Sequence, residues 1–134
     1  MTSRLALASA AILLAQAAPA TAGGTTGDFI AGTYVIEGRC DKLAALKAGG
    51  PRNVTTVPET LTSEGFESWE GGCEFTSIKE KVKGRVYEAE MSCTDAAEEW
   101  TETDTFTVEA DKSITVTVDQ KSTRFVTCGH DKGN

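Results

Sequence analysis

Polar and apolar residues alternate through much of the chain's second half, and the clearest run begins and ends on cysteine: Cys73-Glu-Phe-Thr-Ser-Ile-Lys-Glu-Lys-Val-Lys-Gly-Arg-Val-Tyr-Glu-Ala-Glu-Met-Ser-Cys93. A period of two places successive side chains on opposite faces of a strand. With Val82-Lys83-Gly84 as a three-residue turn and Gly84 in the left-handed position, Lys81 faces Arg85, Lys79 faces Tyr87, Ser77 faces Ala89, Phe75 faces Met91, and Cys73 falls opposite Cys93. Directly opposed Cβ atoms lie ~4.5–5.5 Å apart, close enough for a disulfide after slight tightening. This register gathers Phe75, Tyr87, Ala89, Met91 and both cysteines on one face. Glu74, Thr76, Glu80, Glu88, Glu90 and Ser92 fall on the other, with Ile78 and Val86 as exceptions to the pattern.

The same alternation predicts further strands. Trp100–Val108 interleaves threonines with larger residues, Asp111-Lys112-Ser113 reads as a turn, and Ser113–Val118 alternates strictly, so that Val108 faces Val116 and Phe106 faces Val118. Asp119–Ser122 turns the chain again into a last strand, Thr123–Cys128. Earlier, Gly32–Glu37 and Gly65–Trp69 read as strands. One stretch breaks the rule. In Asp41–Ala48 the leucines follow helical spacing behind Asp41 as N-cap, and Gly49-Gly50-Pro51 ends the run, which predicts one short helix placed as a lid or plug at the end of the sheet. Six to eight short strands in meander order with one helix describe a mostly β domain, a small antiparallel up-and-down β-barrel or a sandwich.

The N-terminus adds a compartment. Arg4, the apolar run Leu5–Ala15 and the small residues Ala20-Thr21-Ala22 have the layout of a signal peptide cut after residue 22, and Pro19 interrupts the run before it could span a membrane. The expected organisation is a signal peptide 1–22, a flexible segment 23–31, one β-domain 32–128 and a polar tail 129–134, in the periplasm or outside a bacterial cell. All four cysteines, Cys40, Cys73, Cys93 and Cys128, follow the leader. An even count in an oxidising compartment predicts two disulfides. The hairpin register assigns Cys73–Cys93, which leaves Cys40–Cys128 to tie the end of the first strand to the end of the last, as closure of a barrel requires.

Charge narrows the partners. The chain carries 20 acidic residues against 13 lysines and arginines, a net charge of −7. That balance disfavours nucleic acid and anionic membrane as partners and permits a basic protein. No GxSxG, HExxH, calcium-loop or phosphate-loop pattern is present, and His130, the single histidine, lies in the polar tail. A non-enzymatic protein with no cofactor and no metal is therefore expected. Glu88, Glu90, Asp95, Glu98, Glu99, Glu102 and Asp104 crowd within 17 positions. Of these, Glu88, Glu90, Asp95, Glu98 and Glu99 are the candidates for an acidic docking surface, joined by Phe66 and Trp69, which are flanked by acids and glycines as in an exposed recognition loop. A carrier for a small apolar ligand is the alternative, with a hollow interior lined by Tyr34, Phe75, Met91, Phe106 and Val116. A hydrolase using paired carboxylates would need one of them held at a raised pKa in a cleft, for which the local sequence offers no cause.

The stretches Cys73–Ile78, Tyr87–Cys93, Trp100–Val108 and Phe125–Cys128 together resemble small exported proteins of alphaproteobacterial type. The resemblance implies the compartment and no activity. In architecture the chain is also similar to periplasmic lysozyme inhibitors and to the small barrel inhibitors of metalloproteases, which implies a binding role; the lysozyme inhibitors' Ser/Gly-rich loop before an Ala-Arg-Tyr segment has no counterpart here.

Overall fold

A computed structural model describes residues 24 and 26–129. The stretch 1–22, expected as a leader, and the residues beyond Gly129, with His130, lie outside the described residues. The elements in order are β1 (Tyr34–Ile36), α1 (Cys40–Lys47), β2 (Thr60–Thr62), β3 (Gly65–Glu67), β4 (Gly71–Val82), β5 (Val86–Asp95), β6 (Glu98–Val108), β7 (Ile114–Val118) and β8 (Lys121–Thr127). Each strand pairs antiparallel with the next, and β8 closes on β1 through Tyr34↔Thr127, Val35↔Val126 and Ile36↔Phe125. Among the described residues the fold is thus an eight-stranded up-and-down barrel with one helix. Both disulfides pair as expected, Cys73 with Cys93 and Cys40 with Cys128. Cys40, however, opens α1 instead of ending β1, so the second bond fastens the helix to the residue after β8.

The hairpin of β4 and β5 keeps the expected register from Cys73↔Cys93 to Phe75↔Met91, then departs from it. Thr76 is an extra residue, a β-bulge, and its hydroxyl donates to the Glu90 carbonyl (3.0 Å). Beyond it Ile78 faces Ala89 and Lys79 faces Glu88, where Ser77–Ala89 and Lys79–Tyr87 pairs are expected from an unbroken ladder. The bulge turns Ile78 inward, where it is buried. A second irregularity at Lys81 moves the loop to Lys83-Gly84-Arg85, with Gly84 at φ 68°. The β6–β7 register also differs from expectation. Val108 faces Ile114 and Phe106 faces Val116, a two-residue slip. Asp111 accepts from both the Ser113 backbone N–H (3.0 Å) and its hydroxyl (2.6 Å), while Glu109 N–H pairs with the Ser113 carbonyl (2.9 Å), so Ser113 closes the loop instead of starting the strand. An even slip preserves which face is buried, so the inward set survives the error.

Two expectations about position also change. The helix neither plugs nor lids the barrel. Val35, between the inward residues Tyr34 and Ile36, points outward yet is wholly buried, because α1 packs on the outside of β1. Asp41 lies in the first turn while Arg39 occupies the N-cap, and Gly49 (φ 88°) and Gly50 close the other end by donating to the Leu46 and Ala45 carbonyls. The stretch 23–31, expected as a flexible lead-in, instead closes one end of the barrel across the described residues Gly24 and Thr26–Ile30. Gly27 N–H bonds the Ser63 carbonyl (2.7 Å), Ile78 N–H bonds Gly24 (2.8 Å), and Ile30 is buried. Phe29 stacks on Tyr87 with centroids 4.0 Å apart. Above this floor the interior is filled by Tyr34, Leu61, Phe75, Ile78, Ala89, Met91, Phe106, Ile114 and Phe125.

At the other, open end the start of β4 lies tight against β5. A Cβ on Gly71 would sit 1.9 Å from the Thr94 carbonyl oxygen on β5, and that atom is backbone, not the tip of a mobile chain. Gly71→Ala is expected to lower stability by about 1–3 kcal/mol, as overpacking does, in urea titrations followed by Trp fluorescence. An unchanged midpoint would show that the two strands can separate there freely.

Candidate functional site

The open end forms a cavity of about 520 Å³. Its rim comes from the turns after β3, β5 and β7, and its depth from side chains of β6, β7 and β8. Alternation on β6 sets the chemistry. Trp100, Glu102, Asp104, Phe106 and Val108 share the inward face, while Thr101, Thr103, Thr105 and Thr107 face the other way. Phe106 and Val108 belong to the packed interior, so the three residues above them line the cavity. Ile36, Phe66, Val116, Val118 and Phe125 supply apolar walls, and Glu59, Asp95, Asp119 and Lys121 add charge to the lining, with Ser68, Thr94 and Thr123 as neutral polar members.

Asp104 is the unusual member. It is 2% exposed, among the most completely buried residues of the barrel, and its Oδ1 has no hydrogen-bond partner among the described residues. Burial is the main reason its pKa is pushed up to about 7; the charge of Glu102, a hydrogen bond from the protonated acid to Glu102, and the charges of Asp119 and Glu59 add to it. Glu102 is itself anchored by the Trp100 indole N–H, which donates to its Oε2 at 2.8 Å. Glu59 sits at the rim, largely exposed as a residue, with its pKa raised by desolvation of the carboxyl and by the Glu102 charge. Near neutral pH Asp104 is poised to gain or lose its proton, so it can donate or accept there.

The disulfide borders this cavity. Cys73 and Cys93 bring their sulfurs within 4.8 Å of a Glu102 carboxylate oxygen, a spacing suited to metal ligation, but the sulfurs are bonded to each other and the trio is a carboxylate beside a disulfide.

The candidate residues drawn from the sequence end up dispersed. Phe66 is not exposed. It packs against Phe106 and Phe125, with centroids 5.8 and 5.5 Å away, and faces the cavity. Trp69 is 42% exposed on the far side of the same turn, in a separate groove with Leu43, Leu46 and Pro58, so the two aromatics do not form one recognition loop. Glu88 and Glu90 lie on the outer wall, Glu88 opposite Lys79 and Glu90 opposite Ser77. Asp95 and Glu98 face each other at the tip of the β5–β6 turn with Glu99 beside them, and Asp95 reaches the cavity rim. Of the seven, only Phe66 and Asp95 meet at the cavity. The hollow interior expected for an apolar carrier is also displaced. Tyr34, Phe75, Met91 and Phe106 are packed in the core, and only Val116 of that set lines the open end. Glu102 and Asp104 had a legible signal in their spacing from Phe106 and Val108, since the alternation that buries those two turns both acids inward.

Comparison with family models, with curated proteins and with solved structures found no match to this chain. The geometry of the open end therefore carries the functional argument.

Proposed function

We propose that this protein is an exported binding protein whose working surface is the open end of the barrel, where it receives a small amphipathic molecule. The observation that carries this reading is the buried Oδ1 of Asp104, a 2% exposed residue, unpartnered among the described residues in a cavity where the apolar walls of Ile36, Phe66, Val116, Val118 and Phe125 meet several polar side chains. Buried acceptors in folded proteins are almost always satisfied, and a pocket that combines apolar walls with a few convergent polar groups is the usual form of a ligand site. Glu102 and Asp104 lie two residues apart on one strand face. They stand side by side, unlike the acid and nucleophile or base of a glycosidase, which flank the bond being cut, so binding fits the pair better than glycoside hydrolysis.

A fragment screen followed by ¹⁵N–¹H NMR on the secreted form tests this. Binding is expected to shift the Trp100 indole N–H and the amides of Val116 and Val118, leaving the closed end around Gly27 and Ile30 unmoved. A screen whose hits all map to the outer wall of β5 would remove the proposal.

A second reading has its own support. Asp95, Glu98 and Glu99 concentrate charge on one exposed tip beside the cavity, which suits a basic protein partner. Lysozyme-driven lysis measured with and without the protein, at low and moderate salt, addresses it; identical lysis at both removes lysozyme as that partner.

A further inference from the structure

We infer that the open end of the barrel selects a protonated amine carried on an apolar body, with the ammonium N–H groups bonded to Asp104 and Glu102 and the apolar part against Phe66, Val116 and Phe125. The inference rests on the ligand-binding reading above and adds the ligand's chemical class.

Two observations converge on a cation that is also a donor. When Asp104 is ionised its Oδ1 is an acceptor without a partner among the described residues, so what completes it is an N–H or O–H group. The charge around it is nearly all negative: Glu102 from its own strand, Asp119 from the β7–β8 turn, Glu59 ahead of β2 and Asp95 at the end of β5, with Lys121 the one cation in the lining among the described residues. A neutral alcohol would satisfy the oxygen but leave that negative field uncompensated. A quaternary ammonium would compensate the field but offer no N–H. A primary ammonium does both.

The other candidates for the missing charge fit less well. Among the described residues, the one trio of ligand-type atoms gathered within 4.8 Å includes the two disulfide sulfurs, so the carboxylates do not close around a small bare ion. An organic ammonium needs only two or three acceptors and gains from the aromatic walls. Phe66 and Phe125 are placed for its carbon body, and Trp100, 39% exposed at the rim with its indole N–H held by Glu102, covers the entrance side.

Proton release accompanies binding. Asp104 gives up its proton when the ammonium takes its place, so the affinity rises with pH until the acid is ionised without help and is flat above that. The amine stays charged through this window, so the change reports the site.

The experiment uses 2-phenylethylammonium against two isosteres, 2-phenylethanol and trimethyl(2-phenylethyl)ammonium, titrated by NMR into the secreted form, Asp104→Asn and the outer-wall control Glu90→Gln. The expected result is binding of the primary ammonium at the Trp100 and Val116 resonances, at least about tenfold tighter than either isostere and about tenfold tighter at pH 8 than at pH 6. Asp104→Asn is expected to lose both the preference and the pH dependence, and Glu90→Gln to keep both. A blocked pentapeptide with a single lysine separates the two sources of such a group. Tighter binding of the peptide assigns the site to a lysine of a protein partner, and weaker binding assigns it to a free amine. Equal binding of the alcohol and the ammonium at the same resonances, in both the native sequence and Asp104→Asn, overturns the amine inference while leaving the ligand-binding reading intact. If neither these probes nor the fragment screen moves any resonance of the open end, both fall.

Discussion

Asp104→Asn is expected to make the protein more stable at pH 8.5, by about 2–4 kcal/mol, and to change it little at pH 4. The sign follows from the acid's raised pKa. Asp104 titrates at about 7 in the folded chain against 3.8 as an ordinary aspartate. Between those values the folded state holds a proton that the unfolded state has released, so folding is helped below the window and loses that help as pH rises through it. Above about pH 7 the folded barrel carries a buried, ionised carboxylate beside Glu102. At 1.36 kcal/mol per pKa unit the full shift corresponds to at most about 4 kcal/mol, and water entering the open end lowers the measured figure. Asparagine fills the same volume, carries no charge, and can donate its amide to Glu102 at every pH. Urea titrations of both proteins from pH 4 to 9 read the difference directly. Ionisable groups away from Asp104 contribute to both curves and cancel in the subtraction, whereas Glu102, Asp119 and Glu59, which act on it, enter the difference. A difference that stays constant across this range would mean that Asp104 is solvated and ordinary, and the open end would lose its distinguishing feature.

The sequence announces the parts of this fold that depend on alternation, and it hides those that depend on single insertions or on isolated residues. The Cys73–Cys93 bond was readable because opposed positions on paired strands must bring the sulfurs together, and the Cys40–Cys128 bond followed by elimination. The bulge at Thr76 left a trace in Ile78, an apolar residue on the wrong face, but alternation alone does not say which residue is the extra one. The β6–β7 slip came from side-chain bonds between Asp111 and Ser113 that fix the loop locally. Strand β2 went unread because Thr60–Thr62 offers one apolar residue, Leu61, whereas the equally short β1 carries Tyr34, Val35 and Ile36 and β3 has Phe66 between glycine and Trp69. Phe29 and Ile30 stand alone among polar residues and glycines, so nothing periodic marks them as the floor of the barrel. The site divides in the same way. Glu102 and Asp104 share a parity with Phe106 that the chain displays openly, whereas Glu59 and Asp119 reach the open end from short or irregular segments and only the closed barrel brings them there.

Phe106→Ala is expected to cost about 3–5 kcal/mol, among the largest losses available to a single substitution here. The ring is wholly buried. It lies 5.8 Å from Phe29 and 5.5 Å from Phe75, both edge-on, and 5.8 Å from Phe66, so one side chain joins the closing segment, β3, β4 and β6. Removing it takes away the transfer free energy of the ring and leaves a void whose walls belong to four separately anchored stretches, which cannot collapse together to fill it. Two further consequences distinguish this account from generic core damage. Phe29 keeps its stack on Tyr87 but loses its other aromatic partner, so amide exchange at Gly27 and Ile30 should accelerate more than at the β4–β5 ladder. Phe66 loses support from below, which deepens the cavity toward the void and should weaken ammonium binding even in that fraction of the variant that remains folded. Phe106→Leu keeps most of the volume and should recover the greater part of both. If the alanine variant instead unfolds at the native urea midpoint, the interior is not the packed aromatic cluster on which the open end rests, and Asp104 would not be held at the bottom of a defined pocket.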